Sequence, residues 1–302
     1  MRLRWRHMLL DELLNDFPRE RFLREHYQRT PFSGRAAAER LLPLGSWSVV
    51  DELVEQTECD LLLARQGVPY AGERPRTAKQ ARELFAQGYT LVLRQPDQHH
   101  AGLSELARTF SAELHGRINL HLYCTPAGQH GFGWHCDPEE VFILQTLGRK
   151  DYLLKENTLH PVPLPEALPS GALAAQETTP EETRTLGAGD FIYIPAGHWH
   201  RAQAPEDALS ISIGLLAPTL LDVLDVVRAN LASNPVWRKR LPVLGYASEM
   251  DDMKKLEVLR TLFTGLGGEL QRALSDSGLP LRFLAQTARF YLRSAGLRGG
   301  KR

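Results

Sequence analysis

Apolar residues recur at helical spacing in the first third of the chain. Over residues 8–28 and 36–42, leucines and phenylalanines fall mostly three or four positions apart, which is the spacing of one helix face. The same pattern predicts a helix around 78–87 and an amphipathic helix from about 102 to 115. The chain therefore opens with a helical region.

Breaks in this pattern mark the other elements of that region. Ser48 is the predicted cap of a helix that begins near Val49, because acidic residues follow in its first turn. Residues 66–77 are polar and contain both proline and glycine, which predicts a loop. The apolar segment 89–94 predicts a short strand.

From Asn119 to Leu216 the pattern changes to short strands. Five segments rich in Val, Ile, Tyr, Phe and Thr are bounded by Gly, Pro, Asp or Asn. They are residues 118–125, 140–147, 150–156, 189–197 and 208–216. Closely spaced short strands favour an antiparallel barrel or jelly roll over alternating parallel units.

A segment of low complexity interrupts these strands at residues 158–183. Its prolines and small residues predict a surface loop with little regular structure. Two roles remain open for it: substrate selection, or a variable surface loop without a function of its own.

After Thr219 the helical spacing returns. Three stretches carry wide apolar faces, and we expect a separate helical module at residues 219–302. Such faces could pack on the strand region or on a second copy of the module, so a homodimer through these helices is expected.

Charge and cysteine content narrow the function classes. The 302 residues contain 36 Lys+Arg and 36 Asp+Glu, so no overall positive field indicates a nucleic-acid partner. Cys59, Cys124 and Cys136 form no CxxC pair, which favours a reducing compartment, the cytoplasm. No apolar stretch approaches the roughly 18 residues of a membrane span, and Asp11 and Glu12 interrupt the N-terminal apolar run.

The segment 131–152 contains a candidate metal site. His135 and Asp137 are two residues apart, and on an extended strand such side chains point to the same side. A third ligand could come from the turn and strand that deliver His198 or His200. Two histidines and one carboxylate form the facial triad of non-haem iron(II) oxygenases. The alternative is a polar turn that leads into a buried strand.

The position of each histidine favours His200 as the third ligand. His198 directly follows Gly197 and would lie within the turn, whereas His200 begins the next strand. We therefore expect His198 to be exposed or to lie outside the ligand shell. Cys136, between two candidate ligands, should face away from the metal on a regular strand.

Several separate motifs, in order, resemble one family. The segments "YCTPAGQHGFGWHCDPEEVFILQTLGRKDY", "GDFIYIPAGHWHRA" and "SISIGLLAP" resemble the JmjC-type cupins of the ribosomal oxygenase group, also called cupin-4. "FLREHYQRTPF" is similar to a segment near the start of those proteins, so the resemblance spans roughly residues 15–218. It implies a fold that is mainly β with flanking helices, in which a double-stranded β-helix core is followed by a C-terminal helical module.

The resemblance also implies cofactors and site residues. The iron(II) ligands would be His135, Asp137 and His200. Lys150 would pair with the distal carboxylate of 2-oxoglutarate, and a lysine inside a barrel is costly to bury without an anionic partner. The residues implied near the same co-substrate are Tyr123, His121 and Ser212.

The expected function follows from the same resemblance. Residues 1–218 would form the catalytic domain of an iron(II)- and 2-oxoglutarate-dependent hydroxylase. Its partner would be a protein or peptide, with an arginine or histidine of a ribosomal protein favoured. The alternatives are a precursor peptide, a small molecule, or a non-catalytic cupin that only binds a partner.

Overall fold

The computed structural model of the protein describes residues 9–56, 58–244 and 250–294, with side chains as far as residue 288. It divides into two compact units, of which the second is Pro218–Phe290. Met8, the first residue of the predicted 8–28 helix, lies outside the described residues.

Eleven strands are present among the described residues of the first unit. They are β1 Phe32–Gly34, β2 Asp60–Arg65, β3 Val68–Pro69, β4 Thr90–Arg94, β5 Arg117–Thr125, β6 Glu140–Leu147, β7 Lys150–Lys155, β8 Glu182–Leu186, β9 Phe191–Ile194, β10 Trp199–Gln203 and β11 Ala208–Leu216. Each of the predicted strand segments contains one of them. The predicted loop at 66–77 contains β3, a strand of only two residues.

The strands form two antiparallel sheets. The larger has the order β1-β9-β6-β11-β5-β4-β2-β3, and the smaller has the order β10-β7-β8. A cluster of buried apolar side chains from both sheets lies between them, including Val141, Ile143, Leu154 and Ile192. This is the mainly β, two-sheet core that the sequence predicts.

Five α-helices lie between residues 9 and 217, within the part of the chain that the structure describes. They are α1 Leu9–Leu14, α2 Arg19–Glu25, α3 Trp47–Glu55, α4 Ala78–Ala86 and α5 Ala101–Leu114. Their apolar faces pack with the larger sheet in the main core, where Phe22 and Phe110 meet Phe142. Because helices cover one face and the smaller sheet covers the other, β6 is buried along nearly its whole length.

Three predicted helix boundaries were wrong. The segment 8–28 is two helices: the first ends at Leu14, where Asn15 adopts a positive φ of 52°, and Pro18 is the N-cap of the second. The segment 36–42 gives a 3-10 helix, Glu39–Gly45, rather than an α-helix, and it contains Pro43. The third helix begins at Trp47, two residues earlier than expected, since its N-cap is Ser46 and not Ser48.

The predicted irregular loop at 158–183 was also partly wrong. It contains a 3-10 helix, Gly171–Gln176, in which Ala174 is fully buried, and Glu177 is buried as well. Its last residues already belong to β8. The small side chain of Ala174 packs against the larger Trp199. Small residues in this segment therefore reflect close packing as well as surface exposure.

The second unit is helical. Its helices are α6 Leu220–Leu231, α7 Asp252–Leu274 and α8 Leu279–Ser294. Val226, Val227 and Leu279 form its small core, while Leu220 and Leu281 remain largely exposed. No helix among the described residues is both long and apolar enough to cross a membrane.

Candidate metal centre

His135, Asp137 and His200 converge on one point. Each offers a ligand atom, and these atoms all lie within 4.8 Å of one another. His200 belongs to β10, and His135 pairs with it through an isolated bridge in which each backbone N–H donates to the other residue's carbonyl, at 3.1 and 2.8 Å. The backbone of the smaller sheet therefore brings the two imidazole rings together, with centroids 4.2 Å apart.

Hydrogen bonds to carbonyls fix which ring nitrogen can bind a metal. His135 Nδ1 lies 2.9 Å from the carbonyl oxygen of Gly133, and His200 Nδ1 lies 3.0 Å from that of His198. A carbonyl only accepts, so Nδ1 must carry the proton in each ring. In the neutral rings Nε2 then keeps its lone pair, which is the form a metal requires.

The second ring nitrogen of His200 faces a carboxylate. Its Nε2 lies 3.4 Å from Oδ2 of Asp137. With Nδ1 already protonated, a lone pair faces an anion unless His200 is cationic or a metal cation lies between them. The donor set thus fits a divalent cation of the iron or zinc type, with two imidazoles and one carboxylate.

The pKa values of the three groups are shifted in different directions. Burial lowers the pKa of His135 to about 4, and the nearby His200 adds to this effect. Burial would also lower the pKa of His200, but the hydrogen bond to Asp137 outweighs it and raises that pKa. Burial would raise the pKa of Asp137, but the hydrogen bond with His200 and the neighbouring histidines lower it. At neutral pH the site therefore offers a carboxylate and a neutral His135.

The neighbouring residues lie where strand alternation predicts. The Cys136 side chain packs with Ala174 and Trp199, away from the cluster. His198 is half-buried rather than fully exposed, and its backbone carbonyl supports the ring of His200. Its side chain is not one of the three that converge.

Lys150 lies in the same cavity as the triad. It is buried, and its Nζ donates to Ser210 Oγ at 3.1 Å and lies 5.5 Å from the ring centre of Tyr123. Within the described part of the chain, no carboxylate lies within salt-bridge distance of this amine. Burial lowers the pKa of Lys150 to about 8, so the cavity contains a cation that lacks an anion.

The remaining sequence-predicted residues divide into two groups. Tyr123 and Ser212 line the cavity with the triad and Lys150. His121 is not among the residues lining that cavity, although its ring centre lies 6.2 Å from that of Tyr123. Burial lowers the pKa of His121 to about 4, so the ring is neutral.

The structure adds hydroxyl groups that sequence reasoning missed. Tyr152, Ser210 and Thr125 also line the cavity. Tyr152 follows Lys150 by two residues and Ser210 precedes Ser212 by two, so each shares a strand face with a residue already singled out. The alternation of strand faces was the signal that could have found them.

Known proteins match this chain over the same region. Residues 96–223 match the family described as JmjC domain. The histidyl-hydroxylase and lysine-specific demethylase NO66 of Dictyostelium discoideum is 32% identical over 130 residues, which cover 43% of this chain and 25% of NO66. Ribosomal oxygenase 2 of Mus musculus is 30% identical over 202 residues, which cover 62% of this chain and 42% of that protein. The chain thus spans less than half the length of these curated relatives.

Solved structures show the same fold. YcfD, a ribosomal oxygenase from Escherichia coli, aligns with a TM-score of 0.56 at 18% identity, over 89% of this chain and 69% of YcfD. A structure of YcfD in complex with cobalt and 2-oxoglutarate aligns with a TM-score of 0.51, at 18% identity over 89% of this chain and 70% of that one. Fold and sequence motifs therefore agree: residues 96–223 match the JmjC domain family, and the chain is similar in sequence to NO66 and ribosomal oxygenase 2.

Proposed function

We propose that the chain is an iron(II)- and 2-oxoglutarate-dependent oxygenase that hydroxylates a side chain of a protein. The observation that carries this proposal is the content of one cavity. Three side chains that could hold a metal ion lie in it together with a buried lysine, with which no carboxylate of the described residues pairs. A ligand that chelates a metal through one end and carries a carboxylate at the other satisfies both groups, and 2-oxoglutarate is such a molecule.

In this proposal the triad holds the iron and Lys150 holds the co-substrate. His135, Asp137 and His200 would bind Fe(II) through two Nε2 atoms and one carboxylate oxygen. When bound, Fe(II) activates O₂ so that 2-oxoglutarate is converted to succinate and CO₂ while one oxygen atom enters a C–H bond of the substrate. Lys150, supported by Ser210, would receive the distal carboxylate.

Other side chains would orient the co-substrate and keep water out. Tyr123 and Ser212 are proposed to contact it. His121, two residues before Tyr123 on β5, is proposed to support the same pocket. Val141 and Ile143 line the same cavity with apolar surface, which strengthens the pairing of Lys150 with a carboxylate by excluding water.

The proposed substrate is an arginine or histidine side chain of a ribosomal protein. The similarity to two proteins supports this proposal: NO66 is a histidyl-hydroxylase and lysine-specific demethylase, and YcfD is a ribosomal oxygenase. A protein substrate is common to both. The choice of arginine or histidine as the target residue goes beyond what the two proteins share.

The remaining parts of the proposal concern assembly and location. We propose that residues 1–218 are the catalytic domain and that residues 219–302 form a helical dimerisation module. Exposed apolar residues on that module, including Leu220, Leu221 and Leu281, support an interface with a second copy. Three buried, unpaired cysteines are consistent with a cytoplasmic protein.

Succinate formation tests the chemistry. The purified chain, supplied with Fe(II), 2-oxoglutarate and O₂, should form succinate, and His135→Ala should reduce the rate to background. Ribosomal proteins from a strain that lacks the protein should gain 16 mass units on arginine or histidine after incubation with it. A loss of 14 mass units from a methylated lysine would instead indicate demethylation. If wild type neither binds Fe(II) nor forms succinate with any protein pool, the chain is a non-catalytic cupin.

A further inference from the structure

The insert 158–183 covers the outer face of the strands that carry the metal ligands. Strand alternation turns Cys136 and Trp199 away from the cavity that His135 and His200 face. On that outer side, Ala174 of the insert completes a small apolar cluster with Cys136 and Trp199, and Trp134 packs against it. The insert therefore touches the neighbours of all three candidate ligands without reaching the cavity.

A first polar contact connects the start of the insert to Asp137. Asn157 is buried, and its Nδ2 donates to the carbonyl oxygen of Gly197 at 3.0 Å. The N–H of Gly197 in turn donates to the carbonyl oxygen of Asp137 at 2.8 Å. The other side-chain atom, Oδ1 of Asn157, accepts from the N–H of His160 in the insert at 2.8 Å. One amide side chain thus joins the insert to the backbone of a ligand.

A second polar contact connects the end of the insert to His200. Glu177 is buried, and its Oε1 accepts from Nε1 of Trp199 at 3.0 Å. Trp199 immediately precedes His200. The same carboxylate accepts from the N–H and the hydroxyl group of Thr158, at 3.0 and 2.7 Å, so it also joins the two ends of the insert.

Close backbone contact leaves little freedom between the insert and the segment before His135. A Cβ atom on Gly171 would lie 1.8 Å from the carbonyl oxygen of Trp134, so a side chain at this position could not be accommodated without a backbone shift. The 3-10 helix that begins at Gly171 therefore rests directly on the chain that leads into the first ligand.

We propose that the insert 158–183, together with Asn157 directly before it, is a clamp on the metal centre, in which Asn157 and Glu177 are positioning residues that set the places of Asp137 and His200. This inference rests on the proposed function, because it takes the triad to bind a metal. The clamp touches neither the metal nor the substrate. It acts by restricting the backbone on the side of the strands opposite the cavity.

Cobalt(II) binding to the full chain tests the clamp without requiring turnover. Visible absorption bands report the geometry around Co(II), and a titration followed at those bands gives the affinity. We expect Glu177→Gln, and separately Asn157→Leu, to weaken Co(II) binding by about 10–100-fold and to alter the bands, the effect typical of lost outer partners of metal ligands. Glu166→Gln, an exposed glutamate of the same insert, is the matched control and should behave as wild type.

The possible outcomes separate the clamp from the proposed function. Absence of Co(II) binding by wild type would overturn both. Wild-type affinity and bands in both variants would overturn the clamp alone. Should those variants fail to fold, Thr158→Val decides, because it removes only the hydroxyl donor to Glu177. A smaller shift of the same bands in folded Thr158→Val supports the clamp, and an unchanged spectrum and affinity overturn it.

Discussion

The two ends of the cavity are built in opposite ways. At the triad, hereafter the metal end, His135 and His200 are held by backbone hydrogen bonds and their free nitrogens face the carboxylate of Asp137. At the lysine end, Lys150 is the first residue of β7, and its amine donates to the hydroxyl group of Ser210. The metal end offers lone pairs to a cation, whereas the lysine end offers a cation with which no carboxylate of the described residues pairs.

This difference shows that neither end is electrostatically complete on its own. A buried charge is costly unless it is paired, so a lysine kept in such a place indicates a missing anionic partner. Donor atoms within 4.8 Å of one another favour a metal cation between them. The cavity is therefore suited to the proposed co-substrate, whose two ends differ chemically.

Removal of one ligand at the metal end should have the largest effect. His200→Ala should weaken Co(II) or Fe(II) binding by at least about 100-fold, because losing even an outer partner of a ligand costs 10–100-fold. His198→Ala is the matched control, since only its backbone carbonyl supports the site. Metal titration and succinate formation measure both variants. Equal losses in the two variants would show that the metal end is not defined by His200.

Removal of the charge at the lysine end should have the next largest effect. Lys150→Met should weaken 2-oxoglutarate binding by about 30-fold or more, since loss of one partner of a buried charge pair costs at least about 2 kcal/mol. Metal affinity should not change, because Lys150 touches none of the ligands. Lys155→Met, on the same strand but facing Trp134, is the control. Binding is measured by calorimetry under anaerobic conditions with Fe(II) present. A change in metal affinity instead of co-substrate affinity would break the division into two ends.

The lysine end should also give the cavity a pH dependence. Burial lowers the pKa of Lys150 to about 8, so in the empty cavity the amine is charged below that pH and neutral above it. The affinity for 2-oxoglutarate should therefore be constant below about pH 8 and fall by up to tenfold per pH unit above it. Lys150→Arg should extend the constant range to higher pH, because arginine stays charged. A wild-type affinity that is flat from pH 7 to 10 would contradict an anion partner for Lys150.

The smallest expected effect distinguishes two serines on β11. Ser210→Ala should weaken co-substrate binding by about 2–10-fold, because a hydrogen bond of this type contributes roughly 0.5–1.5 kcal/mol. Ser212→Ala should have less effect, since Ser210 and not Ser212 contacts Lys150. The same calorimetric titration ranks them. The reverse order would mean that the co-substrate lies farther along the strand than Lys150 indicates.

Sequence patterns predicted the strands because each depends on local order, and strand alternation placed His135 and Asp137, two residues apart, on one side. They also predicted that His200, far along the chain, converges with these two, and the structure brings the three side chains together. The residues alone leave Lys150 equally compatible with a solvated strand end, and the family resemblance is what predicts its place in the cavity. The family resemblance added the role of each residue. Tyr152 and Ser210 were missed because a hydroxyl group on an apolar strand forms no distinctive motif. Their positions two residues from Lys150 and Ser212 were the signal that could have identified them.

The insert was misjudged for a different reason. Its prolines and small residues are typical of exposed loops, yet Ala174 and Gly171 are small because they pack against Trp199 and the backbone of Trp134. Composition cannot separate these causes, since both favour small residues. The partners of Asn157 and Glu177 lie between about 20 and 40 positions away, so only the folded chain shows them.

The turn between β6 and β7 determines which β7 side chain, the cationic Lys150 or the anionic Asp151, points into the cavity. Gly148 adopts a positive φ of 64°, and a Cβ atom there would lie 2.0 Å from the carbonyl oxygen of Asp207, so glycine fixes the point at which β7 begins. Asp151 follows Lys150 and faces outward. A one-residue deletion in this turn would turn every β7 side chain to the opposite face and direct the carboxylate of Asp151 inward. An insertion or deletion at this position would thus convert an anion-accepting cavity into one that repels anions, without changing any of the three candidate metal ligands.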